Sequence, residues 1–257
     1  MEKISRKSFV KGALGLGLTG VLAGCASSAS STAASASSTA APAEKKEFTF
    51  ADTVRWDAQY DVVVMGMGAA GMVAAKTAAD NGAKVVIVEK CEEGKAGGNT
   101  KVCGQLFAYA NGDKDAAKSY YTALAGGRDI EPEIIDAISE GVANMADILA
   151  DEFGFNKDEY MDWTGVNVVG TNMGAMSPEY PEMPGHEKMA LWTTHAGASD
   201  GYLYQGLKQN VTDRVDAIDV WYSSPAKSLI QDPVTKTVVG VTVERDGKEM
   251  NIRALNG

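Results

Sequence analysis

The chain has 257 residues, of which 45% are hydrophobic and 23% are charged, so it can bury the core of one or two domains. Its formal net charge of −10 and its pI near 4.8 argue against nucleic acid as a partner. It has two histidines, and no group of Cys and His has metal-ligand spacing, so no metal site is expected.

The first residues have the pattern of an export signal. Arg6 and Lys7 precede an apolar segment, Gly12–Gly24, that is too short for a permanent membrane span. The stretch resembles a twin-arginine export signal in which Lys7 replaces the second arginine. The sequence LAGC, which ends at Cys25, resembles a lipoprotein box whose cysteine is acylated after cleavage. An ordinary secretory signal that carries a cysteine is the alternative.

Three segments are therefore predicted. Residues 1–25 form the export signal with its lipobox, residues 26–47 form a Ser/Ala-rich flexible tether, and residues 48–257 fold. The expected location is the cell envelope, at the outer face of the cytoplasmic membrane, with the lipid as the contact to that membrane.

The first predicted fold element is a βαβ unit. The run YDVVV predicts a strand buried on both faces, the residues from Ala69 to Ala79 favour a helix, and Asn81-Gly82 favours a left-handed cap. In the second run, KVVIVEK, the apolar residues 85–88 are followed directly by Glu89, which lies 23 positions after Gly66.

The turn inside this unit has the G-x-G-x-x-G spacing at Gly66, Gly68 and Gly71. The first glycine permits a tight turn, the second a close approach of a pyrophosphate, and the third close packing of helix on strand. Glu89, at the tip of the second strand, can accept hydrogen bonds from a ribose diol. A dinucleotide site is therefore predicted, with a βαβ unit that binds nothing as the alternative.

A second glycine-rich loop follows closely, in the sequence GKAGGNTKVCGQ. Gly97-Gly98 can bring the backbone against a flat or anionic ligand, and Asn99 and Thr100 add short hydrogen-bonding side chains. Such a loop directly after the acidic residue is typical of flavoproteins. The cysteines at 91 and 103 are too far apart for a CxxC motif, and no chemistry is assigned to them.

The rest of the chain has clear elements at its two ends. Pro132 begins a predicted amphipathic helix with apolar residues at 134, 135, 138, 142, 145 and 149, whereas residues 156–194 have no period and are expected to form a long loop. A helix is predicted near Ser199-Asp200. DVWYSS, AKSLIQD, KTVVGVTVERD and KEMNIRA predict successive strands, with a hairpin at Asp246-Gly247 and a last strand that returns toward YDVVV.

The quoted motifs DVVVMGMGAAGMVAA, VVIVEK and GGNT resemble the FAD-binding portion of the fumarate reductase/succinate dehydrogenase flavoprotein family, especially its exported bacterial enoate reductases. The resemblance implies an α/β fold, with a Rossmann-like βαβ unit of the two-dinucleotide-binding type and an antiparallel β-meander. It also implies FAD as cofactor. The contacts implied are Gly66, Gly68, Ala69, Ala70 and Gly71 for the pyrophosphate, Glu89 for the ribose, Lys90, Gly98, Asn99, Thr100 and Gly104 further along, and Ala226 for the adenine.

The same resemblance implies a reaction. The activated C=C bond of an α,β-unsaturated carboxylate (fumarate-like, urocanate-like or cinnamate-like) would be reduced by hydride from FAD N5. A cytochrome, an FMN protein or a quinol-linked donor in the envelope would supply the electrons. A 3-ketosteroid-type dehydrogenase and a non-catalytic tethered flavin-binding module are the alternatives.

The resemblance covers about half of a typical family member. The A-T-G-G strand, the capping domain and the catalytic arginines of the family have no counterpart in these residues, so residues 48–257 are interpreted as a partial FAD-binding domain without its C-terminal half. No catalytic residue is assigned. His186 and His195 are interpreted as structural or solvent-facing, with a position facing the flavin or the substrate as the alternative for His195. Gln105, where the family commonly has glycine, is given no cofactor contact.

Overall fold

The computed structural model describes residues 48–164, 179–197 and 200–257. The helices are α1 (Ala69–Asp80), α2 (Gly98–Val102), α3 (Lys114–Leu124), α4 (Pro132–Asp151) and α5 (Tyr202–Thr212). The strands are β1 (Ala58–Tyr60), β2 (Val62–Met65), β3 (Val85–Val88), β4 (Leu106–Tyr109), β5 (Met161–Asp162), β6 (Ala190–Thr193), β7 (Ile218–Trp221), β8 (Ala226–Gln231), β9 (Val238–Arg245) and β10 (Lys248–Ala254). No helix in these three ranges is long and apolar enough to cross a membrane.

The predicted βαβ unit is confirmed. Strands β2, β3 and β7 form a parallel sheet with β3 in the middle, and α1 connects β2 to β3. The four residues of β3 are fully buried because this strand has neighbours on both sides. Helix α1 places Met72 and Ala75 in the core, and Gly82 follows it with φ of 84°, in the left-handed conformation expected after the helix.

The first apolar run is divided between two sheets. Strand β1 pairs with β10, whereas β2 pairs with β3, and Asp61 stands between them with its carboxylate accepting the N–H of Lys84 at 2.8 Å. Val62 and Val63 are only half-buried, so the expectation that YDVVV forms a strand buried on both faces is wrong; the strand that is buried throughout is β3. The outer position of β2 in its sheet explains the difference.

The predicted meander is confirmed. Strands β8, β9 and β10 are antiparallel neighbours, and the hairpin between β9 and β10 has φ of 53° at Asp246 and 70° at Gly247, as an Asp-Gly turn predicts. Val243 and Ile252 of this sheet are buried and pack with Val86 of the parallel sheet. After β10 the chain runs beside β2, where the N–H of Val63 donates to the carbonyl of residue 257 at 2.8 Å.

A third sheet, with the order β4-β6-β5, was not predicted. Strands β5 and β6 lie in the region 156–194, which was expected to be a long loop, so that expectation is wrong for these two strands. Strand β5 has two residues and β6 has four, too few to show a period, and both depend on antiparallel pairing. The remainder of that region, residues 165–178, lies outside the described residues.

Helix α4 is amphipathic as expected, but its apolar face is wider than the surface it covers. Ile135, Val142 and Leu149 are buried, whereas Ile134 is 43% exposed and Ile138 is 41% exposed. The prediction that all the periodic apolar residues pack on the core is therefore wrong for these two isoleucines. Helix α5 begins at Tyr202, close to the position predicted.

Candidate functional site

The turn between β2 and α1 depends on two of its glycines for its shape. Gly66 has φ of 96°, and its N–H donates to the carbonyl of Val88 on the neighbouring strand at 2.8 Å. A Cβ atom on Gly71 would lie 2.0 Å from the carbonyl oxygen of Gly66. Helix α1 can therefore start directly above the turn only because residue 71 has no side chain.

Gly68 has a different role. It is the N-cap of α1 with ordinary extended backbone angles, and a Cβ there would lie 3.7 Å from Thr100 Oγ1, an ordinary contact. The protein itself thus has room for alanine at residue 68. The absence of a side chain leaves space for something other than protein next to the first N–H groups of α1.

Glu89 is buried against this turn. Only 6% of the residue is exposed, and its two carboxylate oxygens accept the N–H of Met67 and the N–H of Cys91, each at 2.8 Å. Burial by itself raises the pKa of Glu89, but these two N–H donors and the charge of Lys90 outweigh it and leave the pKa below the ordinary value. Glu89 is thus ionised at neutral pH, and each oxygen has acceptor capacity left for a ligand.

The second glycine-rich loop, residues 97–104, contains the short helix α2 and lies over the start of α1. Thr100 Oγ1 accepts the N–H of Ala69 at 2.9 Å, which caps one of the free N–H groups of the helix. Gly97 has φ of 117°, and a Cβ there would come within 2.5 Å of the ring of Tyr204. Because Tyr204 belongs to α5, this ring packs the loop against that helix.

The segment that leads to Ala226 also contacts Glu89. The N–H of Ser224 donates to the Glu89 carbonyl at 2.8 Å, and the N–H of Ser223 donates to the Cys91 carbonyl at 2.9 Å. Ala226 follows two residues later as the first residue of β8, and it is exposed. The adenine contact assigned to Ala226 stays a prediction. The two serines just before Ala226 do contact Glu89 and Cys91.

The structure thus brings four predicted groups together: the turn at residues 66–71, the Glu89 carboxylate, Thr100, and the segment before Ala226. The remaining predicted residues are placed more loosely. Ala70, Lys90, Gly98 and Asn99 are exposed, and Gly104 is half-buried beside Leu106. Their cofactor contacts stay predictions.

Two residues at the site were missed by sequence reasoning, and a third was given no role. Met67 is fully buried and supplies an N–H to Glu89, although the sequence assigns no contact to it. Tyr204 was missed and Gln105 was given no cofactor contact; each acts through contacts with residues distant in sequence. The glycine pair at 97 and 98 was the only signal that something packs closely there.

His195 is held at the start of α5. Its Nε2 lies 2.6 Å from an Asp200 carboxylate oxygen, and its ring stacks on Tyr202 with centroids 4.1 Å apart. The N–H of Tyr202 and the His195 ring lower the pKa of Asp200. These contacts order the N-terminus of the helix. His186 Nδ1 lies 2.8 Å from the Met183 carbonyl, and no catalytic role is assigned to either histidine.

The site fits an extended dinucleotide. A Cβ on Gly66 or Gly98 would meet no heavy atom within 4 Å, so the space in front of both loops is open. The N-terminus of α1 favours an anionic group such as a pyrophosphate, and the Glu89 carboxylate favours a diol nearby.

Comparison with known proteins also indicates a dinucleotide cofactor. Residues 61–257 match the family described as FAD binding domain. The NADH:fumarate oxidoreductase of Klebsiella pneumoniae is 30% identical over 200 residues, which cover 74% of this chain and 19% of that protein. The 3-oxosteroid 1-dehydrogenase of Mycobacterium tuberculosis is 40% identical over 86 residues, which cover 31% of this chain and 15% of that protein.

Among solved structures, the fold is similar to the 3-ketosteroid delta1-dehydrogenase of Sterolibacterium denitrificans. The TM-score is 0.61 at 19% identity, over 77% of this chain and 46% of that chain. At this identity the likeness shows the fold alone. The chain spans less than a fifth of the length of the curated relatives named above.

Proposed function

The chain belongs to the FAD binding domain family, and from this premise we propose that it binds FAD for an exported oxidoreductase that reduces the activated C=C bond of an α,β-unsaturated carboxylate. The buried, ionised Glu89 facing the glycine turn is the observation that carries the cofactor part of this proposal. The match to NADH:fumarate oxidoreductase supports the reaction, because it extends over 200 residues, whereas the steroid dehydrogenase match extends over 86.

The described residues would bind the cofactor at its nucleotide end. N–H groups at the start of α1 other than that of Ala69, which donates to Thr100, would hold the pyrophosphate, with Gly68 leaving room for it. Glu89 would accept the ribose hydroxyls. The loop at residues 97–104 would lie further along the cofactor. When bound, FAD supplies the hydride that is transferred to the substrate double bond.

A 3-ketosteroid-type dehydrogenase is the second candidate. The 40% identity to 3-oxosteroid 1-dehydrogenase over 86 residues supports it. Both candidate reactions act on a C–C bond next to an electron-withdrawing group. They differ in substrate and in the direction of hydride transfer.

We expect fumarate-like acids to be the substrates. The protein would be isolated from its native cells with an antibody against residues 48–257 and supplied with reduced viologen and fumarate, urocanate or cinnamate. Bleaching of the viologen is the expected result, with antibody-depleted extract as the control. Oxidation of a 3-ketosteroid with an artificial acceptor, without enoate reduction, would favour the second candidate. Inactivity in both assays would favour a non-catalytic flavin-binding module.

We also propose that the protein is exported and held at the membrane by lipid on Cys25, with an envelope cytochrome, FMN protein or quinol-linked donor as its electron source. The lipobox sequence LAGC and the Ser/Ala-rich segment after it support this proposal. These residues lie outside the described part of the structure.

Replacing Cys25 by serine should prevent lipid attachment. In cells fed an alkyne fatty acid, the wild type should be labelled and membrane-associated, and Cys25→Ser should lose the label and be released or left unprocessed. Cys103→Ser, which changes an exposed thiol in the folded part, should keep the label and serves as the control. A wild-type protein that still begins at Met1 and carries no lipid would contradict the proposal.

A further inference from the structure

Gln105 has an unusual combination of backbone conformation and burial. Its φ is 61°, in the left-handed region that favours glycine, yet only 1% of the residue is exposed. A long polar side chain in this conformation persists only when its surroundings hold it there. The hydrogen bonds of the side chain show what holds it.

Both the nitrogen and the oxygen of the Gln105 side-chain amide are hydrogen-bonded. Its Nε2 donates to the Thr100 carbonyl at 2.8 Å and to the Cys103 carbonyl at 3.0 Å, and its Oε1 accepts the N–H of Tyr204 at 3.2 Å. A side-chain amide has one accepting oxygen and two N–H donors. Glutamate can provide only the acceptor, and an apolar side chain provides neither, so the pattern is specific for an amide.

Through these contacts Gln105 connects Thr100 with Tyr204, two residues that border the candidate site. Thr100 is the residue whose Oγ1 caps Ala69 at the start of α1, and Tyr204 is the residue whose ring packs on Gly97. Gln105 therefore fixes the end of the loop at residues 97–104 to helix α5, and through Thr100 to the glycine turn.

We propose that Gln105 is a positioning residue that keeps the loop at residues 97–104 in its cofactor-binding conformation. This inference rests on the proposed function, since it takes FAD as the ligand. On the proposed function this loop would contact FAD beyond its pyrophosphate, so we expect Gln105 to matter more for the binding of FAD than for that of ADP, which lacks the flavin part. If the role of Gln105 were purely structural, its loss would lower the affinities for FAD and for ADP equally.

The first test is Gln105→Gly, which accepts the backbone conformation and removes the amide. Flavin fluorescence titration should show FAD affinity lowered about tenfold or more through the lost hydrogen bonds, and ADP affinity changed by less than about threefold. Asp246→Gly is the matched control, because Asp246 also has a positive φ of 53° but lies in the exposed β9–β10 hairpin. Unchanged FAD affinity, or equal weakening of FAD and ADP, would overturn the inference.

A second measurement does not depend on FAD. Hydrogen exchange in the unliganded protein should be about tenfold faster or more for the amides of residues 99–105 in both Gln105→Gly and Gln105→Glu, and for the amide of Tyr204 in Gln105→Gly, which loses the acceptor. Glutamate keeps the size and the acceptor but loses both donors, so it tests the donated bonds. Unchanged exchange in both variants would refute the positioning role. Absence of FAD binding by the wild type would instead refute the proposed function.

Discussion

Replacing Gly71 by alanine is expected to abolish FAD binding and to destabilise the fold strongly. The added Cβ would lie 2.0 Å from the carbonyl oxygen and 3.2 Å from the carbonyl carbon of Gly66, and 3.3 Å from a methyl group of Val64. Two of these atoms are backbone atoms of the turn, so the clash cannot be relieved by rotating a side chain. Overpacking of this kind costs about 1–3 kcal/mol or more, and relief requires moving α1 away from β2.

Thermal unfolding and a flavin titration of Gly71→Ala would check this expectation, with two other glycine-to-alanine variants for comparison. A Cβ on Gly141 in α4 meets no atom within 4 Å, so Gly141→Ala should stabilise by about 0.5–1 kcal/mol. Gly68→Ala should fold normally and lose FAD, because only the ligand needs that space. A folded Gly71→Ala protein that binds FAD like the wild type would contradict the proposed turn geometry.

Replacing Glu89 by alanine is expected to have the second largest effect. The N–H groups of Met67 and Cys91 would lose their buried acceptor, and FAD would lose its ribose contact. We expect FAD affinity to fall by about 1–3 kcal/mol, with a comparable loss in the free energy of unfolding. Flavin titration and chemical denaturation measure the two effects. Glu249→Ala, an exposed glutamate on β10, is the control and should change neither. Tight binding of NAD, with no binding of flavin, would contradict the assignment of this site to FAD.

The contribution of Glu89 to the free energy of unfolding should also depend on pH. The folded protein lowers the pKa of Glu89 below the ordinary value of 4.5, so the ionised form contributes stability that is fully present above that value. This contribution is lost as the pH falls through the lower pKa of the folded state. The difference in unfolding free energy between wild type and Glu89→Gln should therefore be constant above about pH 5 and shrink below it. A difference that grows with acidification would show that the pKa is raised instead.

Much of the fold could be predicted because its signals are local. The β-branched run of β3, the helix formers of α1 and the Asp-Gly turn between β9 and β10 each occupy a few consecutive residues, and each favours one backbone conformation. The same holds for the spacing of Gly66, Gly68 and Gly71. Composition and charge likewise belong to the chain itself, whatever its fold.

The sequence by itself therefore determined the βαβ unit, the meander, the FAD family and the position of Glu89 at the end of β3. Only the tertiary structure decided that Met67 and Cys91 hold this carboxylate, that β4, β5 and β6 form a third sheet, and that Gln105 connects two residues that border the candidate site. The reason is the distance along the chain: Thr100 meets Ala69 across 31 residues and Gln105 meets Tyr204 across 99. Periodicity carries no information about such pairs, because their contact depends on how separate elements pack.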